Sequence, residues 1–273
     1  MSITKTIVRD YLPPAATQLL RRIRGGGARF GGEYTSWEDA SSNSSGYDAK
    51  EILAKVLSAT LRVKRGEVAF ERDSVVFEKI EYAWPVLSGL MWAAARNNGT
   101  LNVLDFGGAL GSSYFQNRQF LQALPDVRWN VVEQEHYVDA GRTYIQDEAL
   151  RFYKTIEECL ADTKPNVILL SSVLQYIQNP FELLKITMDT EAQYIILDRT
   201  PFCNNDKDKL CVQHVPSEIF ESKLICWVFS LEKFTKMLSN EFDLIADFLN
   251  VDQIGGIKSQ FMGSIWQRRV LPS

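Results

Sequence analysis

The sequence predicts an α/β fold: a doubly wound, mostly parallel sheet preceded by a mainly helical extension. From Leu101 onward, apolar runs of strand length alternate with helix-length segments, the order that builds a parallel sheet with right-handed crossovers. Two of those runs, V-I-L-L at 167–170 and Y-I-I-L at 194–197, are continuously apolar, as in strands covered on both faces. Before Leu101 the alternation is absent, and helix and loop patterns take its place. With 273 residues, 45% of them apolar, the chain suits one large domain with an appendage. The boundaries are an extension over 1–98 and the α/β domain over 99–273.

Within the extension, Ala15–Arg24 reads as a short basic helix that ends in Gly25-Gly26-Gly27, and Gly31–Gly46 as loop. Asp48 is placed to cap a helix running to about Val63, with Ile52, Leu53, Val56, Leu57 and Leu61 on one face. Gly66–Phe77 reads as a turn and extended segment. Ile80–Arg96 reads as an apolar helix, with Pro85 in its tolerant first turns and Asn97-Asn98-Gly99 as its stop. In the domain the predicted strands are Leu101–Asp105, Arg128–Glu133, Leu150–Lys154, Asn166–Ser172, Gln193–Asp198, Phe242–Phe248 and Gln260–Arg268, seven in all. The predicted helices are Ser112–Ala123, His136–Gln146, Ile156–Ala161, Pro180–Met188 and Leu231–Asn240, and Cys203–Pro216 reads as a long polar loop.

A net charge of −4 gives no global field for nucleic acid or an anionic membrane, so neither is an expected partner. The apolar runs are too short for stable membrane insertion, and the first residues lack the apolar core of a secretory signal. Cys159, Cys203, Cys211 and Cys226 form no C-x-x-C pair. They read as reduced thiols of a cytoplasmic protein rather than metal ligands, although Cys203 and Cys211 with His214 resemble a metal fragment.

The most informative run is L-N-V-L-D-F-G-G-A-L-G at 101–111, where an apolar strand ends at Asp105 and opens into a glycine-rich loop before a helix. That arrangement suits a nucleotide-type cofactor. The acid before the glycines would repel a pyrophosphate but would accept an ammonium or a sulfonium.

Asp105-x-Gly107-x-Ala109-x-Gly111 resembles the acidic-x-Gly-x-Gly-x-Gly loop of class I S-adenosylmethionine-dependent methyltransferases, with alanine at the middle glycine. Glu133 matches the family's acid at the end of strand two. The run S-S-V-L-Q-Y-I, then Asn179-Pro180, and the final strand pair around Gly255-Gly256 also fit, so the likeness covers roughly residues 80 to 270. In the first half, G-G-E-Y-T-S-W-E-D-A, G-Y-D and G-E-V-A-F-E-R-D-S-V-V-F resemble a poorly characterised bacterial subgroup of methyltransferases linked to surface-polysaccharide gene clusters. The resemblance implies a seven-stranded Rossmann-like methyltransferase fold and S-adenosylmethionine as cofactor. It further implies O-methylation of a sugar or glycan intermediate, with amines and carboxylates open as acceptors.

By the same resemblance, Phe106, Gly107, Gly108, Ala109 and Gly111 pass beneath the methionyl part of the cofactor. A side chain at Gly107 is expected to fill space the cofactor needs. Glu133 accepts from the ribose hydroxyls. Asp105 either receives the cofactor ammonium or braces the loop. Gln134, Thr155 and Ile156 are the adenine-side residues, with plain core the alternative for Ile156. Ser171, Ser172 and Gln175 follow strand four beside the cofactor, and Tyr176 offers an aromatic face to the sulfonium. Arg72 either pairs with the cofactor carboxylate or sits in a network with Glu71 or Asp73. Tyr34, Trp37, Tyr47, Tyr82 and Trp84 are read as filling a small core, with a sugar platform the alternative. His214 and Asp198 are the candidate bases.

Two other readings compete. A nicotinamide-dependent oxidoreductase fits Glu133 but not Asp105. A catalytically inactive binding module fits the fold, since fold alone proves no activity. Asn179-Pro180 is followed by Phe181, which argues against a nucleic-acid base methyltransferase. The first half is expected to form a lid, a homodimer surface or both.

Overall fold

The computed structural model describes residues 29–44, 49–72, 74–215, 222–250 and 256–269. The basic segment 15–24, the capping Asp48, Tyr47 and Asp73 lie outside the described residues.

The domain is a three-layer α/β/α stack. Its central strands β4 (Thr100–Phe106), β5 (Asp126–Val132), β6 (Leu150–Tyr153), β7 (Val167–Ser171) and β8 (Tyr194–Cys203) run parallel in the order β6-β5-β4-β7-β8. The antiparallel pair β11 (Phe242–Leu249) and β12 (Gln260–Arg268) extends the sheet beyond β8. Adjacent strand residues face opposite layers, as period two requires. Val103, Leu169 and Ile196 join one core with helices α2 (Ala49–Lys64), α3 (Trp84–Arg96) and α4 (Ser112–Leu121). Leu104, Leu170 and Leu197 join the other with α6 (Ile156–Asp162), α7 (Pro180–Met188) and α8 (Leu231–Leu238). Both faces are therefore covered, which is why strands β7 and β8 read as unbroken apolar runs.

Three departures from the sequence reading bear on the site. First, among the described residues the sheet has ten strands rather than seven. The additional three are β1 (Arg29–Tyr34), β9 (Lys209–Val215) and β10 (Ser222–Ser230). Thus 209–215 is strand rather than polar loop, and 29–34 is strand where loop was expected. The pairing that makes them strands is distant in sequence, with Arg29 opposite His214 and Cys226 opposite Cys211. Second, the extension carries the extended segment expected within 66–77, but paired on itself as a hairpin of β2 (Phe70–Arg72) and β3 (Val75–Phe77). It also includes the short helix α1 (Trp37–Ser41), capped by Ser36. Third, the helix after β5 is α5 (Glu135–Ala140) continued by a π-helical turn, Gly141–Ile145.

Helix α3 lies tightly on the sheet. A Cβ at Gly89 would approach Ile196 Cδ1 to 2.9 Å and Ile265 Cδ1 to 3.0 Å, so glycine here permits the close contact. With Leu90, Ala93 and Ala94 fully buried beneath it, α3 is fixed, and so is the segment that leads into it. That segment forms one wall of the site.

Candidate active site

The loop after β4 is shaped by backbone sterics. Gly107, Ala109 and Gly111 have φ of +71°, +49° and +89°. A Cβ at Gly107 would come 2.4 Å from Val173 Cγ2, and one at Gly111 2.9 Å from Leu150 Cδ2. Glycine at 107 is thus required by the protein's own packing, before any ligand is considered. Ala109 takes the left-handed region at a cost of roughly 1–2 kcal/mol. The loop is closed by Gly107 N donating to Val132 O and Gly111 N to Gly108 O, both at 2.9 Å.

Two acids flank the loop. Asp105 is buried and accepts from Trp129 Nε1 at 2.9 Å. Its Oδ2 lies 2.5 Å from where a Gly108 Cβ would stand, so the carboxyl sits directly against the loop. Burial raises its pKa to about 7 against the donation from Trp129, with the Glu133 charge adding to the rise. Glu133, just past β5, accepts from the Gln134 amide, and burial raises its pKa as well.

Where β7 ends, the sheet opens. Ser171 is the last β7 residue opposite Asp198, and β10 takes the same side of β8 only from Phe202 onward. The gap is bridged by side chains. Gln175, fully buried, donates from Nε2 to Ser172 Oγ at 3.1 Å and to Arg199 O at 3.2 Å. Its Oε1 has no partner among the described residues. Ser172 and Arg199 both have positive φ, +54° and +48°. Five non-glycine residues among those described have positive φ; two of them, Ala109 and Ser172, follow the carboxyl ends of β4 and β7, and a third, Arg199, lies in β8 one residue past its pairing with β7. Such strain collects at functional sites because the surrounding structure has to impose it.

Asp198 is buried in this gap. Its Oδ2 accepts from Ser171 Oγ at 2.7 Å, its Oδ1 accepts from Asn250 Nδ2 at 2.8 Å, and Arg199 Nε lies 3.6 Å from Oδ2. Asn250 also accepts from the Arg199 amide at 3.1 Å, so it holds both the carboxylate and the strained residue beside it.

The hairpin β2–β3 closes the site from the extension. Glu71 is buried and accepts from Ser112 Oγ at the start of α4 and from Ser74 N. The acid therefore ties the hairpin to a helix N-terminus, where a negative charge is favoured. Arg72 turns the other way into the cleft, with Phe70 5.5 Å beneath its guanidinium. Among the described residues no carboxylate stands within ion-pair distance of it.

The cleft so formed has a volume of about 320 Å³. Arg72, Ser112, Ser171, Asp198, Arg199 and Asn250 supply its polar lining, and Tyr82, Trp84 and Leu249 its apolar side. Of the aromatics expected to fill a small core, Trp84 is 57% exposed. Arg199, Asn250 and Ser112 were not singled out in the sequence. Arg199, next to Asp198 at a strand end, had a positional signal; Asn250 had none.

The other expected residues do not line this cleft. Thr155 caps α6, accepting from Glu158 N at 3.1 Å, and Ile156 is buried in the core. Gln134 is exposed at the start of α5. Tyr176 donates to Gln213 Oε1 at 2.8 Å, linking the segment after β7 to β9. His214 is exposed on β9, its ring against Gly31, and is not among the residues lining the cleft. Cys203, Cys211 and Cys226 share a small buried cluster with Phe30 and Phe261. Among the described residues no group of metal-ligating side chains is present and no helix is long and apolar enough to cross a membrane.

No family model and no curated protein matches the chain. Solved structures do. The N-terminal domain of EvdMO1 with S-adenosylhomocysteine bound is 15% identical, with 82% of this chain and 98% of that one covered and a TM-score of 0.45. Magnesium protoporphyrin IX methyltransferase (ChlM) from Synechocystis PCC 6803 with S-adenosylmethionine bound is 16% identical over 98% of this chain and 99% of that one, TM-score 0.43. The glycopeptide N-methyltransferase MtfA complexed with sinefungin is 11% identical over 67% of this chain and 94% of that one, TM-score 0.44.

Proposed function

We propose that the chain is an S-adenosylmethionine-dependent methyltransferase whose acceptor is a hydroxyl of a sugar or glycan intermediate. The observation that carries the cofactor class is a pair of acids, buried Asp105 and half-buried Glu133, flanking a glycine loop at the carboxyl edge of a parallel sheet. Acids there disfavour a pyrophosphate and favour a cationic ligand with ribose hydroxyls. The residues present fit such a group. The loop Phe106–Gly111 and Asp105 would hold its methionyl part and Arg72, which lacks a carboxylate partner among the described residues, its carboxylate. Glu133 would take the ribose, and Gln134, Thr155 and Ile156 the adenine side. Ser171, Ser172 and Gln175 would stand beside the cofactor, and Tyr176 would offer an aromatic face to its sulfonium. When bound, the cofactor supplies a methyl group activated on a sulfonium.

The chain's own contribution is alignment and proton removal. Holding acceptor and methyl in line supplies much of such an acceleration. What supports Asp198 over His214 as proton acceptor is placement: Asp198 lines the cleft, held by Ser171 and Asn250, and His214 does not. The described residues of the extension act as a cover over the cleft of domain 99–273, a reading supported by Arg72, Tyr82 and Trp84 in the cleft wall. Four free cysteines suit a reducing, cytoplasmic setting.

The test is calorimetric titration with S-adenosylhomocysteine, with NAD as control. Micromolar binding of the former alone is expected. Binding of NAD alone would overturn the reading, and binding of neither would favour the binding-module alternative.

A further inference from the structure

The cleft has two chemically different kinds of lining, and the aromatic one is braced by several contacts. Trp84 is 57% exposed, yet its ring is held in place. Tyr82 packs against it with ring centroids 4.8 Å apart, and Phe120 of α4 meets both rings edge-on, at 5.7 Å from Trp84 and 5.2 Å from Tyr82. The Tyr82 hydroxyl donates to Gln119 Oε1 at 2.9 Å, and Gln116 Nε2 donates to the carbonyl of Glu81. Three residues of α4 thus brace the segment from behind, and α4 is the helix that starts at the glycine loop. An indole left in water and fixed in orientation is a surface prepared for contact.

The same cleft is also lined by Asp198, Asn250 and Ser171, all groups that pair with hydroxyls. A ligand matching both linings needs an apolar face and several hydroxyls around its edge. Sugar rings have that construction: axial C–H bonds form a flat, weakly positive face, which the negative face of an indole attracts, and the hydroxyls project outward. A simple phenol offers the face but only one hydroxyl for the polar lining.

We infer that Trp84, braced by Tyr82 and Phe120, is the platform on which the acceptor's sugar ring lies, with Asp198 and Asn250 facing the ring's hydroxyl edge. Trp84 then determines specificity and takes no part in the chemistry. The inference rests on the methyl-transfer reading.

The experiment is saturation-transfer NMR on the full chain, with and without S-adenosylhomocysteine. Ligands are the methyl glycosides of glucose, galactose, mannose, rhamnose and N-acetylglucosamine, with phenol as the aryl control. Saturation is expected on ring C–H protons of at least one glycoside. It should fall at least fivefold in Trp84→Ala and be largely kept in Trp84→Phe, with S-adenosylhomocysteine affinity within twofold of the parent in both. The same substitution at the other exposed tryptophan of α3, Trp92→Ala, should leave it unchanged. No saturation on any glycoside, saturation unaffected by Trp84→Ala, or saturation of phenol alone would overturn the platform. Failure of S-adenosylhomocysteine to bind, read separately by calorimetry, would instead sink the methyl-transfer reading.

Discussion

Toward the amino ends of β4 and β7 the buried polar groups are neutral and close on one another, whereas at the carboxyl ends they are acidic and bordered by strained backbone. On the amino side Asn130 Nδ2 donates to Asn102 Oδ1 at 2.7 Å and to Val103 O at 2.8 Å. Asn102 Nδ2 donates in turn to Thr163 Oγ1 at 2.7 Å, and Asn166 accepts from the Asn102 amide at 2.9 Å and donates to Thr100 O at 3.0 Å. Such amides join strands without charge and leave little for a ligand to do. On the carboxyl side, Asp105 and Glu133 keep raised pKa values through burial, and Ala109, Ser172 and Arg199 keep left-handed backbone. One sheet thus has a closed, stabilising end and a costly end, and Ser171, Asp198 and Arg199 join the costly end to the cleft.

The most forceful way to break this contrast is Gly107→Val. A valine there combines φ of +71° with a Cβ 2.4 Å from Val173, so the loop has to move. S-adenosylhomocysteine affinity is expected to fall more than about 100-fold, or ~2.7 kcal/mol. The loop's own packing against Val173 is a cause in addition to any occlusion of cofactor space. Calorimetry on a variant with unchanged circular dichroism checks this; full affinity would remove the loop from the site.

Asp105→Asn sharpens the contrast through pH. The folded Asp105 binds its proton up to about pH 7, while the unfolded chain releases it near the ordinary value of 3.8. Between those values the folded state holds more protons, so this group makes stability fall as pH rises, by on the order of a few kcal/mol in total. The asparagine keeps an acceptor for Trp129 Nε1 and lacks the titration. Denaturant midpoints at pH 5 and pH 8 should therefore differ less in Asp105→Asn than in the parent; an identical difference would place the charge cost elsewhere.

On the amino side, Asn130→Ala removes the donor that Asn102 Oδ1 and Val103 O share. The expected loss is about 2 kcal/mol of stability, the same at both pH values, with S-adenosylhomocysteine affinity unchanged. A large change in affinity would mean that the two ends are not independent.

How much of this was legible follows from the range of the interactions. The loop 105–111 was legible because strand, glycines and helix start are contiguous, and the α/β alternation because each helix packs beside the strand that precedes it. The additional strands were not, because K-L-C-V-Q-H-V becomes a strand only against 29–34 and 222–230. The polar lining was half legible: Asp198 ends the apolar run 194–197, but Asn250 meets it from 52 positions away. Trp84 was visible as a residue but not as an exposed one, since its exposure is set by where α3 docks on Ile196 and Ile265.

The smallest expected effect concerns His214, a sequence candidate for the base. It stands on β9 between Arg29 of β1 and Lys223 of β10 in register, and its ring covers Gly31 rather than the cleft. An exposed strand residue of this kind contributes within about 0.5 kcal/mol to stability. His214→Ala is therefore expected to keep both S-adenosylhomocysteine affinity and methyl transfer within twofold, read as S-adenosylhomocysteine released. Asp198→Asn, which leaves the carboxylate's place filled but removes its basicity, should lower transfer by 10²-fold or more with affinity unchanged. A tenfold loss in His214→Ala would bring the β1–β9–β10 addition into the reaction and extend the costly end of the sheet beyond the cleft.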